Sequence, residues 1–359
     1  MNSQLKLNEW VPFNGPPIEG PLIGVEIEVE GTNLPRDMAR TGWSIHEDGS
    51  LRGESAEYVF SKPVDYERAN KILEKFAEKI ATATEVFMSY RTSVHVHVNV
   101  RDMTFTQIYN MILLYTLYED QFGQLAGDHR VGNLFCLRMA DAKGYLDILR
   151  RAAKDGRWNN LNSQNLRYSA CNPVSMFRHG TLEFRAMRGT TDTNLIRRWY
   201  TLLLRLRYAA TELFQNPQHL VETLQRTGIE RFTETVFNEH PFPYDDQFVV
   251  SINDHIPMLE FVAYAQDWPA VSVINPEPVV QEAGLTLEQL DRAAETFSER
   301  QRQVALAQAA INQGREAERA RQSPRRPRDP IGAPNNFAPW SGTEAHAIWM
   351  TQNSTVNVT

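Results

Sequence analysis

The stretch "SVHVHVNV", residues 93–100, decides how this chain is read. Val94, Val96, Val98 and Val100 fall on one side of an extended backbone, and His95, His97 and Asn99 on the other, because successive side chains of a strand point to opposite faces. Four valines in period two have no helical reading, so the segment is a strand whose apolar face is turned to a core. Imidazoles two residues apart on a strand converge, which is a common metal-ligand arrangement. The plain alternative is a hydrogen-bonded surface pair.

The same alternation recurs elsewhere. "GVEIEVEG" (24–31) sets Glu26, Glu28 and Glu30 between Val25, Ile27 and Val29. Neighbouring carboxylates on that face stand roughly 6.6 Å apart and repel by about 2.5 kcal/mol at an effective dielectric near 20. Full solvation removes most of that cost; a partner cation removes it too. "GTLEFRAM" (180–187) places Leu182, Phe184 and Ala186 on one face and Thr181, Glu183 and Arg185 on the other. "SAEYVFSKP" (55–63) brings Glu57 beside an apolar run, and "HEDGSL" (46–51) is a turn with Asp48 as its Asx residue. Several strands therefore pair an apolar face with one rich in Glu, His or Arg. Hard divalent cations with oxygen ligands, occasional imidazole and an arginine for phosphate give one shared cause. The excess of carboxylates over histidines favours Mg²⁺ or Mn²⁺ over Zn²⁺.

Composition narrows the class. The chain has 359 residues, 42% hydrophobic and 23% charged, enough for a sizeable core. A formal charge of −7 argues against nucleic-acid binding through the overall field. Cys136 and Cys171 are too few for a disulfide framework or thiolate metal site. No basic, then apolar, leader opens the chain, and "YNMILLYTLY" is half a membrane span, so the expectation is a cytoplasmic protein with no membrane partner.

Residues 1–21, with four prolines, are expected to form an extended arm. Strands at 22–30, 55–61, 93–100 and 180–187 are interleaved with helices at "DYERANKILEKFAEKI", "TFTQIYNMILLYTLYEDQF" and "KGYLDILRRAAKDG", the last stopping at Gly156. A long helix runs from near Asp192 to before Pro217. This order predicts an α+β fold with an antiparallel-rich sheet that has one polar face and helices on the other side, over residues 22–265. A helical extension follows over 266–322, with a capping box at Thr286 and Gln289, then a Pro/Arg-rich linker and tail over 323–359. The helix at 286–322 is expected either to pair with a second copy or to pack on the core.

The order and wording of these segments resemble the putative amidoligase family of the glutamine synthetase and glutamate–cysteine ligase superfamily. The matching pieces are "GVEIEVEG", "EDGSL…AEYVFSKP", "SVHVHVNV", "DHRVGNLFC", "RYSACNPVSMFRHGTLEFRAMRGTTD" and "LIRRWYTLLL", together covering roughly 22–210. The resemblance implies a curved antiparallel sheet whose polar face holds ATP and two or three Mg²⁺ or Mn²⁺ ions. It also implies a phage-type gene, hence host cytoplasm. By the same resemblance Glu26, Glu28, Glu57, His95 and Glu183 are metal ligands, and His97 lies nearer the nucleotide phosphates. Which of the two histidines ligates stays open. Arg185 reaches the transferring phosphate, and Asp48, Arg130, Asn133 and Asn172 line the substrate or nucleotide cleft. Arg188 precedes a helix start that is suited to phosphate, with a plain surface residue as the alternative. Glu30 is read as solvated.

The implied activity is ATP-dependent joining of an amino-acid or peptide carboxylate to an amine through an acyl phosphate. Asp48 and Glu57 are the candidates for the base. Two other readings stay open: a zinc hydrolase using His95, His97 and a Glu, and a structural or virion-associated protein that keeps the fold without catalysis.

Overall fold

In a computed structural model, the structure describes residues 3–271 and 273, without 16, 128, 129, 131 and 143. The expected helix at 286–322 and the linker and tail at 323–359 lie outside the described residues, as does most of 266–322.

Among the described residues seven strands form one antiparallel sheet that does not close into a barrel: β1 (Ile23–Thr32), β2 (Trp43–His46), β3 (Ser55–Phe60), β4 (Glu85–Phe87), β5 (Val94–Asn99), β6 (Cys171–Asn172) and β7 (Thr181–Phe184). Their order is β2-β3-β1-β5-β7-β6, with β4 pairing the far end of β1. The fold class is thus α+β, as the alternation predicts. Val25, Ile27, Val29, Val94, Val96, Val98, Leu182 and Phe184 are all fully buried. Ile27→Ala is accordingly expected to cost about 2–5 kcal/mol in denaturant unfolding, although its neighbours Glu26 and Glu28 belong to the other face.

The helices cover the apolar face. In α2 (Tyr66–Ile80), Asp65 caps the Arg68 amide, and Ala69, Ile72, Leu73, Phe76 and Ile80 are buried. The helix α3 (Phe105–Leu117) opens on a capping box between Thr104 and Gln107 and is buried on nearly every side. The continuous helix expected there breaks at Tyr118, and α4 (Glu119–Ala126) follows. The Tyr118 hydroxyl lies 3.0 Å from Thr233 Oγ1. The helix α5 (Tyr145–Asp155) stops at Gly156, which takes φ 60°. The long α7 (Thr193–Glu212) starts at Asp192, whose carboxylate accepts from the amides of Asn194 and Leu195, and packs against α2, α3 and β5.

The predicted arm differs in part. Residues Leu7–Trp10 form a short helix, α1, with Leu7 fully buried and Trp10 edge-on to Phe105 and Phe177. Apolar contact outweighs the proline-rich composition there, because Leu7 and Trp10 find a ready apolar surface. Another short helix, α6 (Ser175–His179), leads into β7. After α7 come α8 (Pro217–Thr227), α9 (Ile229–Phe237) and α10 (Asp246–Ala263). The core runs past residue 265: Trp268 is buried, its indole donating to the Ala263 carbonyl at 2.9 Å. Among the described residues no helix is long and apolar enough to cross a membrane.

Candidate metal and phosphate site

The strand registers stack the polar residues in rows. His46, Glu57 and Glu28 face one another across β2, β3 and β1. Glu26 stands opposite His95 on β5. Gly24, His97, Glu183 and Asn172 form the third row across β1, β5, β7 and β6. Three sets of possible donor atoms result, each within 4.8 Å: Glu26, Glu57 and His95; Glu26, His97 and Glu183; and Glu28, Asp48 and Glu57. Glu26 and Glu57 each serve two sets.

Hydrogen bonds fix these side chains. His95 Nδ1 is 3.1 Å from Glu26 Oε2, and its Nε2 is 2.8 Å from Ser93 Oγ, which donates to Glu28 Oε2 at 2.5 Å. His97 Nδ1 meets Thr181 Oγ1 at 2.9 Å and Ser175 Oγ at 3.3 Å, leaving Nε2 3.2 Å from Glu26 Oε1. Such contacts on one ring nitrogen leave the other aimed into the site. Asn172 donates to Glu183 Oε2 at 2.7 Å, and Arg185 Nη1 pairs with Glu183 Oε1.

The electrostatics show a crowded anionic cluster. Burial pushes the Glu26 carboxyl up, but hydrogen bonds and charge from His95 and His97 hold it well below the usual range. Burial raises Glu28 more than His95 and Ser93 lower it. Glu57 is pushed up to about 8, first by burial and then by the charges of Glu26, Glu28 and Asp48. In Glu183, burial is outweighed by His97, Arg185 and His95, and the carboxyl lies low. In Asp48, burial is outweighed by hydrogen bonds from Ser50, and it too lies low. A face that holds one glutamate protonated near neutral pH has more negative charge than its own cations balance. Oxygen donors with one imidazole in two of the three sets fit Mg²⁺ or Mn²⁺.

Of the residues singled out in the sequence, the structure brings together Glu26, Glu28, Asp48, Glu57, His95, His97, Glu183, Arg185 and Asn172. Arg130, Asn133, Arg188 and Glu30 lie outside the donor sets and serve backbone groups. Arg130 is buried, its guanidinium donating to the carbonyls of Arg185 and Ala186 at 2.8 and 3.1 Å, so it braces the segment after β7. Asn133 ties its loop to the Tyr90 carbonyl at 3.1 Å. Arg188 donates to the Leu125 carbonyl at 3.1 Å, and its backbone bridges Ser93. Glu30 is buried, not solvated, and accepts from the Arg52 amide at 2.8 Å.

Sequence reading missed Ser93, Ser175 and His46 as site neighbours, and it gave Thr181 a face without a role. Period two from His95 reaches Ser93 and from Glu183 reaches Thr181, so both were within reach. Ser175 comes from a short helix with no such period.

An open antiparallel sheet whose polar face carries clustered carboxylates, two imidazoles and an arginine defines a candidate cation and phosphate centre. Residues 41–207 match the model of the family described as "Putative amidoligase enzyme", the same family that the motifs resemble, and the name denotes a ligase-type enzyme. The match includes β2, β3, β4, β5, β6 and β7; β1, with Glu26 and Glu28, lies before it. No curated protein matches the chain.

Proposed function

We propose that this protein is an ATP-dependent carboxylate–amine ligase that works through an acyl phosphate, with Mg²⁺ or Mn²⁺ on the polar face of its sheet. The observation that carries the reading is the three overlapping donor sets beside Arg185. Glu26, Glu28, Glu57, His95, His97 and Glu183 would hold the ions, with Asp48 beside Glu28 and Glu57. Bound there, the cations supply the charge that phosphate oxygens need in phosphoryl transfer.

The chain's own residues account for the rest. A carboxylate oxygen of the acid attacks the γ-phosphorus and ADP leaves; an amine then attacks the acyl carbon and phosphate leaves with the bonding pair. Arg185 offers a planar fork to the transferring oxygens, and Glu183, itself held by Asn172, sets the direction of that fork. Thr181 and Ser175 keep the His97 ring turned toward Glu26. Asp48 is ionised at neutral pH and half-buried, so it is placed to accept the amine's proton. Glu57 holds its own proton until a cation displaces it.

The test is a thermal-shift titration followed by product analysis. ATP and Mn²⁺ together are expected to stabilise the protein more than either alone. Incubation with mixed amino acids and short peptides is expected to give a condensed product, ADP and phosphate by mass spectrometry. Stabilisation by Zn²⁺ alone, with no response to ATP, would replace this reading with that of a hydrolase.

A further inference from the structure

The sheet ends at β2, whose outer edge pairs with no strand among the described residues. Trp43 and Ile45 of β2 alternate with Ser44 and His46, so their side chains face away from the donor sets. On that side an open cavity of about 650 Å³ is lined by Arg36, Asp37, Arg40, Trp43, Ile45 and Arg68, among others. The volume is that of a ligand site. Its charge is the opposite of the chain's: three arginines to one acid, in a protein of net charge −7.

Those arginines are exposed. Arg36 donates to the Ser55 carbonyl at 2.7 Å, and Asp37 turns back to the Ala39 amide at 3.0 Å, so the cavity's one acid is engaged with its own loop. Lys75 adds a further cation at the Arg40 carbonyl, 3.2 Å away. The entry to β2 is fixed. Arg40 takes φ 61°, and Gly42 takes φ 93° where a Cβ would meet Ile72 at 2.9 Å.

We infer that this edge binds an acidic peptide in extended form. The peptide's main chain adds to β2 as a further strand, and carboxylates on alternate residues meet Arg36, Arg40 and Arg68. An unpaired strand edge supplies backbone donors and acceptors for such addition, although the Trp43 amide already donates to the Thr41 hydroxyl at 3.3 Å and would have to exchange that partner. Same-face side chains of a strand recur every ~6.6 Å, which suits cations spread over a loop and a helix; a single small anion would leave most of them unmatched. The added strand lies roughly 10 Å from β3, and its remaining side chains face as His46 and Glu57 do. That the peptide carries the reacting group rests on the ligase reading; its binding does not.

The test uses the full chain without nucleotide or metal. Fluorescence anisotropy compares a short labelled peptide of alternating Glu and Thr with its Gln–Thr analogue and with a Glu–Thr peptide N-methylated on alternate residues. Saturable binding of the first, with at least about tenfold weaker binding of both analogues, is expected. The double variant Arg40→Glu/Arg68→Glu is expected to weaken the first peptide by a similar factor at an unchanged unfolding midpoint. Equal binding of the Gln peptide, or no effect of the charge reversal, overturns the inference. Equal binding of the N-methylated peptide overturns strand addition. No binding of any peptide also overturns it, and leaves the arginines as guards against edge-to-edge pairing. Because neither ATP nor metal is present, failure here leaves the ligase reading standing, and a catalytically silent protein leaves this one testable.

Discussion

Glu26→Gln is expected to lower metal-dependent ATP turnover by about a thousandfold while the protein stays folded. Glu26 belongs to two of the three donor sets and is the carboxylate on which both histidines converge. Glutamine keeps the shape and one acceptor but removes the charge, so a cation loses a ligand in both sets. The change loses imidazole contacts that favour the ionised carboxylate and so costs some stability, but the buried apolar face of β1 is untouched and the fold should persist. Glu30→Gln is the matched control. Glu30 lies on the same strand and face, four residues on, but it serves the Arg52 amide and none of the donor sets. Turnover in that variant should stay within twofold or so of the parent. If Glu26→Gln retains parental turnover with an intact fold, cations do not bind where the donor sets lie.

The second large effect is one of pH. Without a cation Glu57 holds its proton up to about 8, and a cation bound by its carboxylate must expel it. Metal affinity should therefore rise about tenfold per pH unit between roughly 6 and 8 and then level off. Calorimetry in buffers of different ionisation heat should register proton release that is lost in Glu57→Gln. The stability of the metal-free protein runs the other way. A carboxyl whose folded value lies above its ordinary 4.5 binds more protons in the folded state, so stability falls as pH rises from about 4.5 to about 8. Glu119, buried and also pushed to about 8 despite the amides of Met139 and Ala140, adds to the same slope. Added Mn²⁺ should remove the Glu57 share of that slope and leave the Glu119 share. Affinity that is flat from pH 6 to 8 would remove Glu57 from the ligand set.

These effects show where the sequence is readable. Strands β1, β3, β5 and β7 carry strict alternation, because one face meets the helices and the other meets charge, and their donors follow at once. Strands β2, β4 and β6 have four, three and two residues, too short for a period, and their pairing is set by neighbours distant in the chain. The register that puts Glu28 opposite Glu57 and His97 opposite Glu183 is a tertiary fact. Arg130 shows the limit from the other side. A charged residue in a motif reads as a ligand-binding group, yet its guanidinium serves two main-chain carbonyls. Nothing in the local sequence tells a brace from a hook. The break at Tyr118 was equally hidden, since its partner Thr233 lies over a hundred residues away.

Strand β1 has one consequence for anyone cutting this chain. It lies in the middle of the sheet, between β3 and β5, yet it precedes the stretch that the family model recognises. A fragment trimmed to residues 41–207 would lose its keystone: two half-sheets with no shared seam, raw apolar edges on each, and no Glu26, the carboxylate that both histidines meet. The recognisable part of this protein is therefore not its smallest working part.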